Sequence, residues 1–181
     1  MKKIGNKEMQ KSASSSVVNP MKKLIMEKVV LSVSGTGENL EKGFKLLKLL
    51  TGRNPAKMIS RKRIPSLGVR PNLEVGAVVT MRKNLNEFLR KMLTTVDNTL
   101  KKNQISENSF SFGVKEYIEI PGFEYQRDIG IRGLDVTVTF KRAGKRTKLK
   151  KIKAGRVPKR QNVSKEEIIK FMEENFKTKF V

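Results

Sequence analysis

Apolar residues along this chain switch between a spacing of two and a spacing of three to four, and the switches mark its elements. Residues 24–33, LIMEKVVLSV, are β-branched and mostly apolar, which predicts a strand buried on at least one face. Ser34-Gly35-Thr36-Gly37 predicts a turn. Leu40, Phe44, Leu47 and Leu50 then form one stripe of a helix, with Lys42, Lys45 and Lys48 away from it. Gly52 suits its C-terminal cap, and Pro55 prevents continuation. Residues 56–60 read as a short strand. Residues 61–71 hold two Pro, one Gly and four Arg or Lys, the composition of an exposed loop.

A second strong strand is predicted over 75–82 and a helix over 85–102, with Leu85, Phe88, Leu89, Met92, Leu93, Val96 and Leu100 on one face. Residues 110–120 alternate enough for a strand or hairpin, which Pro121-Gly122 ends. Residues 134–140 predict a third strong strand, with Leu134, Val136, Val138 and Phe140 on one side. Ser164 and Glu167 form an S-x-x-E capping box that opens a short helix carrying Ile168, Phe171, Met172 and Phe176. No internal repeat is present. This order implies an α+β fold: a mostly antiparallel sheet with helices packed on one face, the other face free to meet a ligand. Residues 1–18 read as a flexible basic arm. Residues 19–181 read as a single domain bearing an exposed basic loop at 57–71 and a basic extension at 141–163.

Charge decides what that free face would meet. The formal net charge is +23 over 181 residues. Eleven of the twenty residues from 141 to 160 are Lys or Arg, and no acid lies between Asp135 and Glu166. A second acid-free stretch, 42–73, holds nine more. Such density repels itself and is relieved by a polyanion, and nucleic acid best matches cations spaced by Gly and Pro. The extension's phosphate-binding candidates are Lys141, Arg142, Lys145, Arg146, Lys148, Lys150, Lys151, Lys153, Arg156, Lys159 and Arg160. Flexible basic segments of this kind are expected to order only on binding.

The chain has no Cys and no His. Disulfides, Cys/His zinc sites, thiol catalysis and His-dependent acid–base schemes are thereby excluded. No cofactor or metal is implied. No apolar run approaches the ~20 residues that cross a bilayer, so a cytoplasmic, membrane-free setting is the expectation.

Several motifs have plain readings. Gly35-x-Gly37 lacks a third glycine and a GK[ST], so an ordinary turn is preferred to a phosphate loop. Glu116, Glu119, Glu124 and Asp128 cluster in sequence, but no nucleophile or base accompanies them. Phe110, Phe112, Tyr117, Phe123 and Tyr125 fit a core better than base stacking. Asp135 stands alone among cations within an apolar strand. It reads equally as an ion-pair partner of Arg132 or Arg82 and as a carboxylate accepting hydrogen bonds from RNA 2′-hydroxyls or a guanine edge.

Taken together, Asn19-Pro20-Met21, Glu27-Lys28-Val29-Val30-Leu31, Leu49-Leu50-Thr51-Gly52-Arg53-Asn54-Pro55, Gly76-Ala77-Val78-Val79-Thr80-Met81-Arg82, Phe110-Ser111-Phe112-Gly113-Val114-Lys115-Glu116 and Ile129-Gly130-Ile131-Arg132-Gly133-Leu134-Asp135-Val136 resemble, in order and spacing, the universal large-subunit ribosomal protein number five family, number eleven in older eukaryotic naming. The similarity covers about residues 19–180. Ile120-Pro121-Gly122 and Val157-Pro158-Lys159-Arg160 point to its archaeal–eukaryotic branch.

The resemblance implies a non-enzymatic constituent of the large subunit that binds 5S rRNA and anchors it to large-subunit rRNA in the central protuberance. It also implies contacts with P-site tRNA, neighbouring central-protuberance proteins and a small-subunit head protein. By matching, the 5S rRNA-binding positions are Ser32, Arg53, Thr80, Arg82 and Asp135. Ser32 stands where the family usually has Asn, and Arg53 where it usually has Gln, so local hydrogen bonding is altered there. The tRNA-facing loop corresponds to Lys57, Arg61, Lys62 and Arg63. Two other classes share part of this pattern: a generic RNA chaperone or nucleic-acid-compacting protein, and a metal-dependent nuclease using the acids at 116–128.

Overall fold

In the computed structural model, which describes residues 19–181, the chain runs β1 (Ile25–Ser34), α1 (Glu38–Thr51), β2 (Ala56–Ile59), β3 (Glu74–Met81), α2 (Leu85–Thr94), β4 (Thr99–Leu100), β5 (Ile105–Ser106), β6 (Ser109–Val114), β7 (Leu134–Lys141), α3 (Arg146–Leu149), α4 (Lys165–Phe176) and β8 (Lys179–Phe180). The expected arm over 1–18 lies outside the described residues. Six strands form one sheet in the order β2-β3-β1-β7-β6-β5, and every neighbouring pair is antiparallel. β4 and β8 form a separate parallel pair. The fold is α+β with a mostly antiparallel sheet, as the element order implies.

Strand alternation sorts the sheet into two chemically different faces. Val29, Leu31 and Val33 of β1, Ala77 and Val79 of β3, Phe110, Phe112 and Val114 of β6, and Leu134, Val136, Val138 and Phe140 of β7 are buried on one face. Against them lie Leu40, Leu46, Leu47 and Leu50 of α1, Leu89, Met92 and Leu93 of α2, and Ile168 and Met172 of α4. Phe140 stacks on Phe110 at 5.8 Å and meets Phe171 of α4 edge-on at 5.6 Å, which joins the sheet to the last helix. The C-terminus of α1 and the N-terminus of α4 follow sequence chemistry. Gly52 closes α1 at φ 65 with its N–H on the Lys48 carbonyl at 2.8 Å. Ser164 and Glu167 exchange reciprocal capping bonds at the start of α4.

Three expectations need correction. The helix predicted over 85–102 ends at Thr94. Its threonines Thr94 and Thr95 bond back to the Lys91 and Met92 carbonyls at 2.8 and 2.7 Å, and Asp97 and Asn98 turn at positive φ. Leu100 is buried all the same, because β4 carries it beside Phe180 of β8. Residues 57–59 lie in β2, and 61–71 fold back on themselves instead of forming an open loop. Ile64 bridges Val69, Pro65–Leu67 make a 3-10 turn between them, and Val69 is buried.

The third correction concerns the basic extension, which is held in place without RNA. Lys145 pairs with Glu27 at 2.5 Å, Arg142 with both oxygens of Glu167 at 2.6 and 2.5 Å, and Asn162 with Glu107 at 3.3 Å. Asn108 adds a seam: its side-chain oxygen accepts the Val163 N–H at 2.8 Å, and its carbonyl accepts that of Phe140 at 2.7 Å. Carboxylates far away in sequence thus offset part of the extension's self-repulsion. No described helix is long and apolar enough to cross a membrane.

Candidate nucleic-acid interface

The second sheet face carries no helix, and its composition is polar. Register places Ser32 of β1 opposite both Val78 of β3 and Asp135 of β7, with Gly113 of β6 next in the row. Val30 lies between Thr80 and Thr137, and Ser111 continues that row. A third row holds Lys28, Thr139 and Ser109. Hydroxyls therefore line the middle of the face. A shallow groove of about 410 Å³ runs over it, lined in part by Ser32, Gln104, Ser111, Asp135 and Thr137.

Asp135 is exposed although both its neighbours in the chain are buried. Neither ion pair open to it from sequence forms. Arg132 donates its guanidinium to Asn39 Oδ1 instead. Arg82 follows the end of β3, two strands away and about four residues along, which at ~4.8 Å per strand and ~3.4 Å per residue is roughly 17 Å. Asp135 has no salt-bridge partner among the described residues. Gly113 leaves room beside the carboxylate, since a Cβ there would stand 3.4 Å from Asp135 Oδ1.

Of the five matched positions, Ser32, Thr80, Arg82 and Asp135 belong to this face or its rim. Arg53 joins them from the loop between α1 and β2. Its Nη1 donates to the Thr80 carbonyl at 3.2 Å, where β2 has not yet begun to pair with β3. A glutamine could have made the same donation, so the arginine keeps that bond and adds a charge at the sheet edge. Thr80 and Ser32 are diagonal neighbours across β1 and β3, ~7–8 Å apart. Sequence matching missed Ser111, Thr137 and Thr139; their two-residue offset from Asp135 or from each other was the signal that could have found them.

The cations surround this face and leave its hydroxyl end clear. Lys141 ends β7 opposite Ile25, six residues along the strand from Asp135 and hence ~20 Å away. The extension departs from that end. On the other edge, Arg61, Lys62 and Arg63 are exposed in the folded 61–71 segment. Lys57 projects from β2 and pairs with Glu74 at 2.7 Å, and that hydrogen bond holds its ammonium above the usual lysine range. Within the extension, Arg146, Lys148, Lys150, Lys151, Lys153, Arg156, Lys159 and Arg160 are exposed, whereas Arg142 and Lys145 are turned onto Glu167 and Glu27.

The sequence-predicted aromatics divide as packing demands. Phe110, Phe112 and Tyr117 are core, and the Tyr117 hydroxyl accepts the Gln126 N–H at 2.8 Å. Tyr125 is exposed. Among the described residues no three acidic side chains come together as a metal site, and the acids at 116–128 do not converge.

Comparison with known proteins matches this architecture. The profile of the ribosomal uL5 family C-terminus covers residues 74–171. The large ribosomal subunit protein uL5 of Sulfurisphaera tokodaii is 40% identical over 93% of this chain and 98% of its own length. The proteins of the same name from Nanoarchaeum equitans and Methanococcus maripaludis are 39% and 38% identical, over 86% and 90% of this chain and 95% and 93% of theirs. A single open sheet face, a surrounding belt of cations and this near full-length similarity to archaeal proteins have one common reading: the chain belongs to the uL5 family of large ribosomal subunit proteins.

Proposed function

We propose that this chain binds 5S rRNA through the open face of its sheet and anchors it to large-subunit rRNA in the central protuberance. A structural, non-enzymatic place in the large subunit follows from the family. The observation that carries the finer reading is Asp135: an exposed carboxylate without a salt-bridge partner among the described residues, set among Ser32, Ser111 and Thr137 on a protein of net charge +23. Charge alone would place a cation there. A carboxylate flanked by hydroxyls accepts hydrogen bonds from 2′-hydroxyls or a guanine edge, groups that phosphate-binding lysines do not read.

Division of labour follows from the layout. Thr80, Arg82, Ser32 and Asp135 supply shape and hydrogen-bond specificity, with Arg53 closing the edge. The extension cations supply phosphate contacts and hence most of the salt-sensitive affinity. On the opposite edge Lys57, Arg61, Lys62 and Arg63 would face P-site tRNA, and the remaining surface neighbouring central-protuberance proteins and the small-subunit head. Labelled 5S rRNA challenged with excess unrelated structured RNA at ~150 mM salt tests this, since weak non-specific contacts are largely suppressed there. Retained binding supports the reading. Complete displacement would favour the alternative of a generic RNA chaperone.

A further inference from the structure

The most enclosed cavity among the described residues lies away from the open face, between the end of β7 and the basic extension. Its volume is about 280 Å³. Lys141, Arg142, Lys145, Lys148 and Lys159 line it, Asn108, Gln161 and Asn162 contribute amides, and no described carboxylate lines it. Glu27 and Glu167, bonded to Lys145 and Arg142, neutralise two of those cations from outside the wall. Lys141, Lys148 and Lys159 have no such partner among the described residues. Arg142 Nε is buried and makes no hydrogen bond among the described residues, an orphaned donor at the cavity wall.

Concave walls of one charge sign focus the field and raise the local concentration of counter-ions. Donors outnumber acceptors here as well, because Lys and Arg offer only donors. Size narrows the ligand. At ~30 Å³ per water the space holds about nine waters, and it falls below the ~300 Å³ at which pockets begin to hold drug-sized ligands. That suits one phosphate group with its first waters better than a whole nucleotide. The wall is also prearranged, since Glu27, Glu107 and Glu167 fix Lys145, Asn162 and Arg142 before any ligand arrives.

We propose that this cavity is a discrete, saturable phosphate-binding pocket, distinct in behaviour from the diffuse cations of the remaining extension. The proposal deepens the reading of the extension as a phosphate-binding segment and is independent of whether the sheet face selects 5S rRNA. The occupant is a phosphate group, from an RNA backbone or from a free inorganic phosphate.

Titration calorimetry on the full chain at ~150 mM sodium chloride, with inorganic pyrophosphate and with a six-nucleotide single-stranded RNA as separate probes, tests it. Pyrophosphate should bind at one site and saturate. Replacing exposed Lys148 and Lys159 together with Gln should weaken it at least tenfold, while K150Q with K151Q, equal in charge removed but outside the cavity, should change it less than twofold. Parallel loss of oligonucleotide binding assigns the pocket to RNA backbone; unchanged oligonucleotide binding assigns it to free phosphate. Should the double variant misfold, K148Q alone is expected to weaken pyrophosphate by about threefold or more. Absence of saturable pyrophosphate binding in the unaltered chain, or equal losses in the two double variants, would overturn the proposal.

Discussion

Leu134 and Val136 are buried and Asp135 between them is exposed, so its side chain bears on what meets the open face far more than on the fold. Two measurements separate those roles. Asp135→Asn should shift urea-unfolding stability by less than about 0.5 kcal/mol, as surface changes without a partner do. The same substitution should weaken 5S rRNA binding while leaving unrelated RNA unaffected or slightly tighter, because a negative charge has been removed. Glu167 is the opposite case, a carboxylate that serves the fold. Burial alone would raise its pKa, but bonds from the Arg142 guanidinium and from Ser164 outweigh that and leave it lowered from 4.5. A carboxylate depressed in the folded state adds stability above its unfolded pKa and loses it as pH falls through the folded one. Its side chain is 45% exposed, so the contribution is at most about 1 kcal/mol. Glu167→Gln retains the capping geometry and should flatten the stability loss between about pH 5 and pH 3, followed by urea unfolding at each pH.

Elements of this fold were legible where a buried face has a clean period. β7 and α4 show it: the alternating Leu134, Val136, Val138 and Phe140 are all core, and the Ser164 box opens a helix where predicted. The end of α2 was not legible, because Leu100 falls on the helical stripe by spacing yet is buried by β8, whose pairing is a tertiary contact. Close strand packing near Gly133 was equally invisible. A Cβ there would stand 2.7 Å from the Lys115 carbonyl oxygen and 2.8 Å from that of Val114, both backbone atoms that cannot swing aside. Gly133→Ala should therefore cost roughly 1–3 kcal/mol in urea unfolding and disturb the β6–β7 pairing that presents Asp135, an effect Asp135→Asn does not share. Phe140→Ala, which removes the ring joining Phe110 to Phe171, should cost about 3–5 kcal/mol.

Across the whole molecule, charge and specificity occupy different places, and they were legible to different degrees. The cationic belt is visible in composition alone. Gathering Ser32, Thr80, Arg82 and Asp135 on one face needed strand alternation together with the family resemblance, and both pointed the same way. The Arg53–Thr80 bond spans 27 positions, and the enclosed cavity depends on Asn108 and three distant carboxylates, so neither had any local signature. The central claim is that the open sheet face selects the RNA while the belt only holds it. It is tested most directly by the ratio of 5S rRNA affinity to unrelated structured-RNA affinity, measured at ~150 mM salt for the unaltered chain and for Asp135→Asn. The account predicts a ratio that falls at least tenfold on substitution, with an unchanged dependence of each affinity on salt, since no phosphate contact has been lost. An unchanged ratio, or equal losses on both RNAs, would contradict it and place recognition in the charge alone.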